Sequence, residues 1–154
     1  MVVRKAASGD IAACVEMLTA YRMRLFAWNS RFWNPSALAV PMTQALLAHL
    51  VDQAETFLVA ERDGIDGFLI ATPIASPPVY DPGGPCVLVD DFCVRDDGLW
   101  AEVGGALLDA AWQGWRRRGV ARVISVSPEA DLIKTAFYQT RGLAPTSRWL
   151  SADV

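Results

Sequence analysis

The chain has 154 residues, 53% hydrophobic and 20% charged, with a formal net charge of -3. That length suits one domain, 1–154, with a sizeable core, and the composition excludes a disordered chain. Opposite charges are mixed along the chain and no apolar run approaches the roughly 20 residues of a membrane span, so neither nucleic-acid nor membrane binding is expected.

The opening "MVVRKAASGD" has no apolar signal core, and a soluble, cytoplasmic protein is expected. Cys14, Cys86 and Cys93 are odd in number and far apart. They read as buried small hydrophobes of a reducing compartment, not as disulfides or a metal knuckle. The one basic cluster, Arg116 to Arg118, falls at a predicted helix C-terminus and complements its dipole.

In chain order, "VVRKA" reads as a first strand. "SGD" follows as turn and cap, with Asp10 placed to accept helix amides. Ile11, Cys14, Val15, Leu18 and Leu25 form the apolar stripe of a helix over 11–26. Pro41 marks the first turn of a second helix with "MTQALLAHL" as its body. "TFLVAE" and "DGFLIATPI" read as strands joined at Asp63-Gly64 in a hairpin. "SPPVYDPGGP" is a turn-rich connector, and "CVLVDDFCV" is a third strongly apolar strand. Its two adjacent acids should point one to each face. Helix spacing returns from Trp100 to Arg118, ended by Gly119. A buried strand "ARVISVS", a helix "ADLIKTAFYQTR" stopped by Gly142, and a final strand "TSRWLSA" complete the order βααβββαβαβ. This is an α/β (α+β) architecture around a mixed central sheet.

The stretch "VLVDDFCVRDDGLWAEVGGALLDAAWQGWRRRGV", with "AFYQTRGL" after it, resembles the GNAT superfamily of acyl-CoA N-acyltransferases. The acidic "VDDFCV" is most similar to its polyamine-type and amino-acid-type members. The resemblance spans nearly the whole chain. It implies a GNAT-like fold, helices on both faces of the sheet, and acetyl-CoA as cosubstrate. It further implies direct transfer to a small-molecule primary amine, and a homodimer.

The resemblance also implies a site. Main-chain groups of Phe92, Cys93 and Val94 would hold the pantetheine arm across a splayed strand edge. The pyrophosphate turn would lie at Leu99, Trp100, Ala101, Glu102, Val103, Gly104 and Gly105. Here the chain departs from the family pattern, because Leu99 replaces a basic residue or glutamine and Glu102 a glycine. Glu102 either occupies the phosphate seat at the helix amides or swings outward as a cap. Asp131 stands where the family often has a coenzyme-contacting asparagine.

Tyr138 matches the family tyrosine that protonates the departing thiolate, a task suited to a phenol neutral near pH 7. The alternative is aromatic packing beside Phe137. Asp90 is the preferred base that draws a proton from the acceptor ammonium, and Asp91 the alternative should the register differ by one. Phe26, Trp28, Phe32 and Trp33 crowd the segment that would line the acceptor pocket, as ring faces for an apolar group or a cation. A lid core or dimer surface would use the same rings. His49 reads as a surface residue of the second helix, and neither covalent catalysis nor a metal site is expected. The rival to an enzyme is a noncatalytic module of the same fold with a degenerate coenzyme site.

Overall fold

A computed structural model describes residues 1–75 and 79–152. The first three residues of the Pro/Gly connector, 76–78, lie outside it. Strand β1 (Val2–Lys5) leads through a short 3-10 turn into helix α1 (Ile11–Trp28), followed by α2 (Ala39–Gln53). Strands β2 (Thr56–Glu61), β3 (Ile65–Ile74) and β4 (Cys86–Val94) come next. Helix α3 (Gly105–Arg117), β5 (Arg122–Ser125) and α4 (Leu132–Thr140) complete the order. The sheet runs β1-β2-β3-β4-β5, antiparallel except for the parallel pair β4–β5.

The apolar alternation of β2 to β4 feeds two cores, one on each face of the sheet. Cys14 and Leu18 of α1 and Leu47 and Val51 of α2 pack with Phe57, Phe68, Ile70 and Cys93. On the other face Leu107, Leu108, Ala111 and Trp115 of α3, with Phe137 and Tyr138 of α4, cover Leu69, Val87, Val89 and Phe92. The Trp115 indole donates to Thr56 Oγ1 at 3.1 Å, so burying this large ring leaves its N–H satisfied. Gly119 (φ 70°) and Gly142 (φ 82°) end α3 and α4 in the left-handed conformation that a side chain disfavours.

Five sequence expectations change. Strand β5, in the stretch expected to be buried, is not: Arg122 and Ile124 are exposed, Val123 and Ser125 half-buried. Asp10 does not cap α1: its carboxylate accepts from the Ala7 amide (2.8 Å) and pairs with Arg4 (2.7 Å), locking β1 to the 3-10 turn. The segment Trp100 to Gly104 is a π-helical turn ahead of α3. "TSRWLSA" forms no strand, and Trp149 (75% exposed) and Leu150 (93%) find no core to cover them. The adjacent acids do not divide between the faces, for the reason given below. All three cysteines are buried, as expected, and His49 is exposed on α2. No helix among the described residues is long and apolar enough to cross a membrane.

Candidate active site

Strand β4 shapes the site by two local irregularities. Ile70 pairs with Asp91 but Ala71 with Val89, so Asp90 is an extra residue, a β-bulge. Val87 and Val89 face α3. Without the bulge Asp91 would follow them, but the inserted residue gives that place to Phe92 and turns Asp91 and Cys93 toward α1. Both carboxylates therefore line one cleft. The second irregularity is an early end to pairing: β5 stops at Ser125 and pairs only with Cys86 to Val89. From Asp90 onward the main chain of β4, including Phe92, Cys93 and Val94, has no β5 partner. An extended ligand can add along such an edge.

The cleft encloses about 390 Å³ between α1, the 29–38 loop, β4 and the start of α4. Phe32 and Trp33 line it, their rings edge to face at 4.6 Å. Phe26 and Trp28 are not among its lining residues. Trp28 instead takes the Arg24 guanidinium over its face at 5.2 Å and meets the edge of Tyr21. Arg22, held by the Thr43 hydroxyl, and Lys134 bring positive charge to the same cavity.

Asp90 is exposed and accepts from the Thr72 hydroxyl at 2.6 Å. Asp91 is the more enclosed acid, and burial pushes its carboxyl above the usual range, although Arg22 and Lys134 pull it back. Cys93 lines the cleft too, but burial pushes its thiol up to about 12. It therefore holds no thiolate near neutral pH.

Tyr138 is buried behind the cleft, on the Phe92 side. The Ser125 hydroxyl, at the end of β5, donates to its oxygen at 2.6 Å. That direction leaves the phenolic proton uncommitted. Burial raises the Tyr138 pKa and the Ser125 bond opposes the rise, so the phenol is neutral across the physiological range.

At the head of α3, Glu102 does not fold over its own amides. Its side chain is 58% exposed and faces Arg62 at 3.7 Å. The carboxylate that does bind the turn is Asp96, accepting from the Gly98 amide at 2.8 Å. Ala101 is exposed, whereas the Trp100 ring is buried 5.0 Å from both Phe92 and Phe137. Val103 and Gly104 are buried beneath it, and Gly105 lies under the Arg141 guanidinium. Asp131 is 2% exposed: it caps α4 by accepting from the Lys134 amide at 3.1 Å and lies 4.0 Å from Arg24, which also bonds Asp97. One arginine of α1 thus ties the turn before α3 to the head of α4.

Lys134, Arg22, Tyr21 and Ser125 enter the site without having been singled out from the sequence. For Lys134 the signal was present. It stands three and four positions before the buried Phe137 and Tyr138, which puts it on the inward face of its helix.

The fold as a whole recurs in solved structures. A mutant protein from Bacillus halodurans superposes with a TM-score of 0.83 over 100% of this chain and 99% of its own, at 17% identity. A predicted acetyltransferase from Clostridium acetobutylicum, solved with acetyl-CoA, gives 0.69 over 99% and 95%, also at 17% identity. A probable acetyltransferase gives 0.71 over 100% and 97% at 16%. The fold is that of the GNAT acyltransferases. The sequence matches no family model and no curated protein at a significant level. The likeness to this GNAT-like fold therefore lies in architecture, at identities where side chains are free to differ.

Proposed function

We propose that the protein is an acetyl-CoA-dependent N-acetyltransferase acting on a small primary amine by direct transfer. The observation that carries this reading is the free edge of β4 running from Asp90 to Val94 beside a cleft that holds a buried carboxylate. Main-chain groups of Phe92, Cys93 and Val94 suit a pantetheine arm, and the turn from Leu99 to Gly105 suits its pyrophosphate. The exposed Glu102 faces Arg62, so it leaves that turn open. The coenzyme supplies a thioester, an acyl group activated toward amines.

The chain's own residues divide the remaining work. Asp91, enclosed and raised in pKa, accepts the proton of the acceptor ammonium; of the two acids it suits the base role better than Asp90, whose carboxylate is engaged by Thr72. Phe32 and Trp33 offer ring faces to the acceptor. Tyr138, its oxygen fixed by Ser125, gives its proton to the leaving sulfur.

A second reading, a ligand-binding module without turnover, is favoured by one feature: Asp131, in the place of a coenzyme-binding asparagine, is fully engaged in capping α4 and meeting Arg24. Calorimetric titration with acetyl-CoA, followed by assay of released thiol against a panel of primary amines, separates the two. Binding with amine-dependent thiol release is expected. No heat at millimolar coenzyme would sink the transferase reading, and binding without release would leave the module.

A further inference from the structure

The chain has two lysines, Lys5 and Lys134, and otherwise draws its side-chain cations from arginine. Lys5 is exposed on β1. Lys134 is 4% exposed, yet it lines the cleft together with Asp91, Phe92 and Cys93 of the stretch of β4 that β5 leaves unpaired. Its Nζ lies 4.8 Å from the ring centroid of Tyr21, 5.7 Å from that of Trp100 and 6.0 Å from that of Tyr138. A lysine is a poor choice for a purely structural role here, because desolvating its ammonium is costly where ring faces and nearby acids return only part of the lost hydration. It also stands beside the residue assigned as the sulfur's proton donor. An amine is thus already built into the cleft beside the unpaired edge of β4.

We propose that Lys134 Nζ is an acyl acceptor in its own right, so that the cleft acylates its own lysine from acyl-CoA. This rests on the coenzyme-binding reading above. The nitrogen lone pair attacks the thioester carbonyl carbon. The C–N bond forms, the C–S bond breaks, and the proton lost from nitrogen ends on sulfur, leaving an Nε-acyl-lysine and the free coenzyme thiol. Burial favours the neutral amine that this attack needs, since it lowers the Lys134 pKa against the pull of nearby acids. The amide formed carries no charge, so acylation would release the ring contacts and the attraction to Asp91 and Asp131.

The second lysine supplies an internal control. Spontaneous acetylation in solution favours the exposed Lys5 and the N-terminus, whereas reaction within the cleft favours Lys134. The folded protein is incubated with acetyl-CoA, digested and mapped by mass spectrometry, beside a urea-unfolded sample treated identically. The expected result is labelling of Lys134 at least about tenfold above Lys5 in the folded protein, with the bias lost on unfolding. Label on Lys5 and the N-terminus with none on Lys134 overturns the proposal. A calorimetric titration of the same preparation separates the causes: acetyl-CoA binding without Lys134 label leaves the transferase reading standing, whereas neither binding nor label removes both. Lys134→Arg, which keeps the charge, should abolish the label. Because the wild-type map decides alone, the test survives a variant that fails to fold.

Discussion

At the scale of single residues, the two proton-handling groups differ in what encloses them, and this sets separate tests. Tyr138 is buried with its oxygen fixed by Ser125, so removing only the hydroxyl leaves the packing of Phe92 and Phe137 in place. Tyr138→Phe is expected to lower kcat by about 10²–10⁴-fold while acetyl-CoA affinity, measured by calorimetry, stays within about threefold. Unchanged turnover would remove Tyr138 from the acid role. Asp91 has a pKa raised by burial, and a base works only once deprotonated. Activity should therefore rise with pH through a limb lying above the ordinary carboxylate value of about 3.9. Asp91→Asn should lower kcat/KM and erase that limb, whereas Asp90→Asn should leave the limb in place. A limb that persists in Asp91→Asn would move the base elsewhere.

Among elements, the turn entering α3 determines how the coenzyme end of the site is built. The π-helical turn makes room for the Trp100 ring beneath the helix, and Gly104 passes against it: a Cβ there would lie 2.8 Å from Trp100 Cε3 and 3.4 Å from Phe137 Cζ. The ring is itself wedged between Phe92 and Phe137 and has little freedom to yield. Gly104→Ala is thus expected to cost about 1–3 kcal/mol of stability by urea unfolding. A loss below about 0.5 kcal/mol would mean that the ring is free to move. Glu102, exposed and turned to Arg62, is a screened charge at the rim of this turn. Glu102→Gln should tighten acetyl-CoA by no more than about fivefold, the worth of one surface pair. A gain of two orders of magnitude would show a direct block of the phosphate seat.

The molecule as a whole keeps one ammonium in its interior, and this links fold stability to pH. Burial lowers the Lys134 pKa, so over part of the neutral-to-alkaline range the unfolded chain holds a proton that the folded chain has released. Where the unfolded state binds more protons, stability rises with pH. Cys14 and Cys93, raised by burial to about 12, act in the opposite sense once unfolded thiols ionise above roughly pH 8.5. Wild type and variant both keep these thiols, so most of that contribution cancels in their difference. Lys134→Met should be the more stable protein where the lysine is protonated in both states, with its advantage over the wild type shrinking as pH rises toward the ordinary lysine value of about 10.4. An advantage independent of pH would show that folding does not lower the Lys134 pKa.

What could be read from the residues followed from periodicity and chain punctuation. Alternating apolar strands, amphipathic helices, and glycines at 119 and 142 carry their signals locally, and they sufficed for the fold class and for the element order from β1 to α4. The failures were non-local. "TSRWLSA" has strand composition, but a strand needs a partner edge, and none meets it among the described residues. Asp10 has a cap residue's chemistry, but Arg4, brought alongside by the β1 strand, takes its carboxylate. Phe26, Trp28, Phe32 and Trp33 are all aromatic, and only the path of the 29–38 loop selects Phe32 and Trp33 for the cleft. The sequence by itself determined the layered fold, the place of the turn before α3 and the presence of two acids in β4. Tertiary structure alone decided that a bulge at Asp90 would bring both acids to one cleft, that Glu102 would leave the turn to Asp96, and that Lys134 would line that same cleft. Secondary structure follows a code of neighbours along the chain. A site is an encounter between distant residues, fixed by strand register and by the side chains with which each buried charge is enclosed.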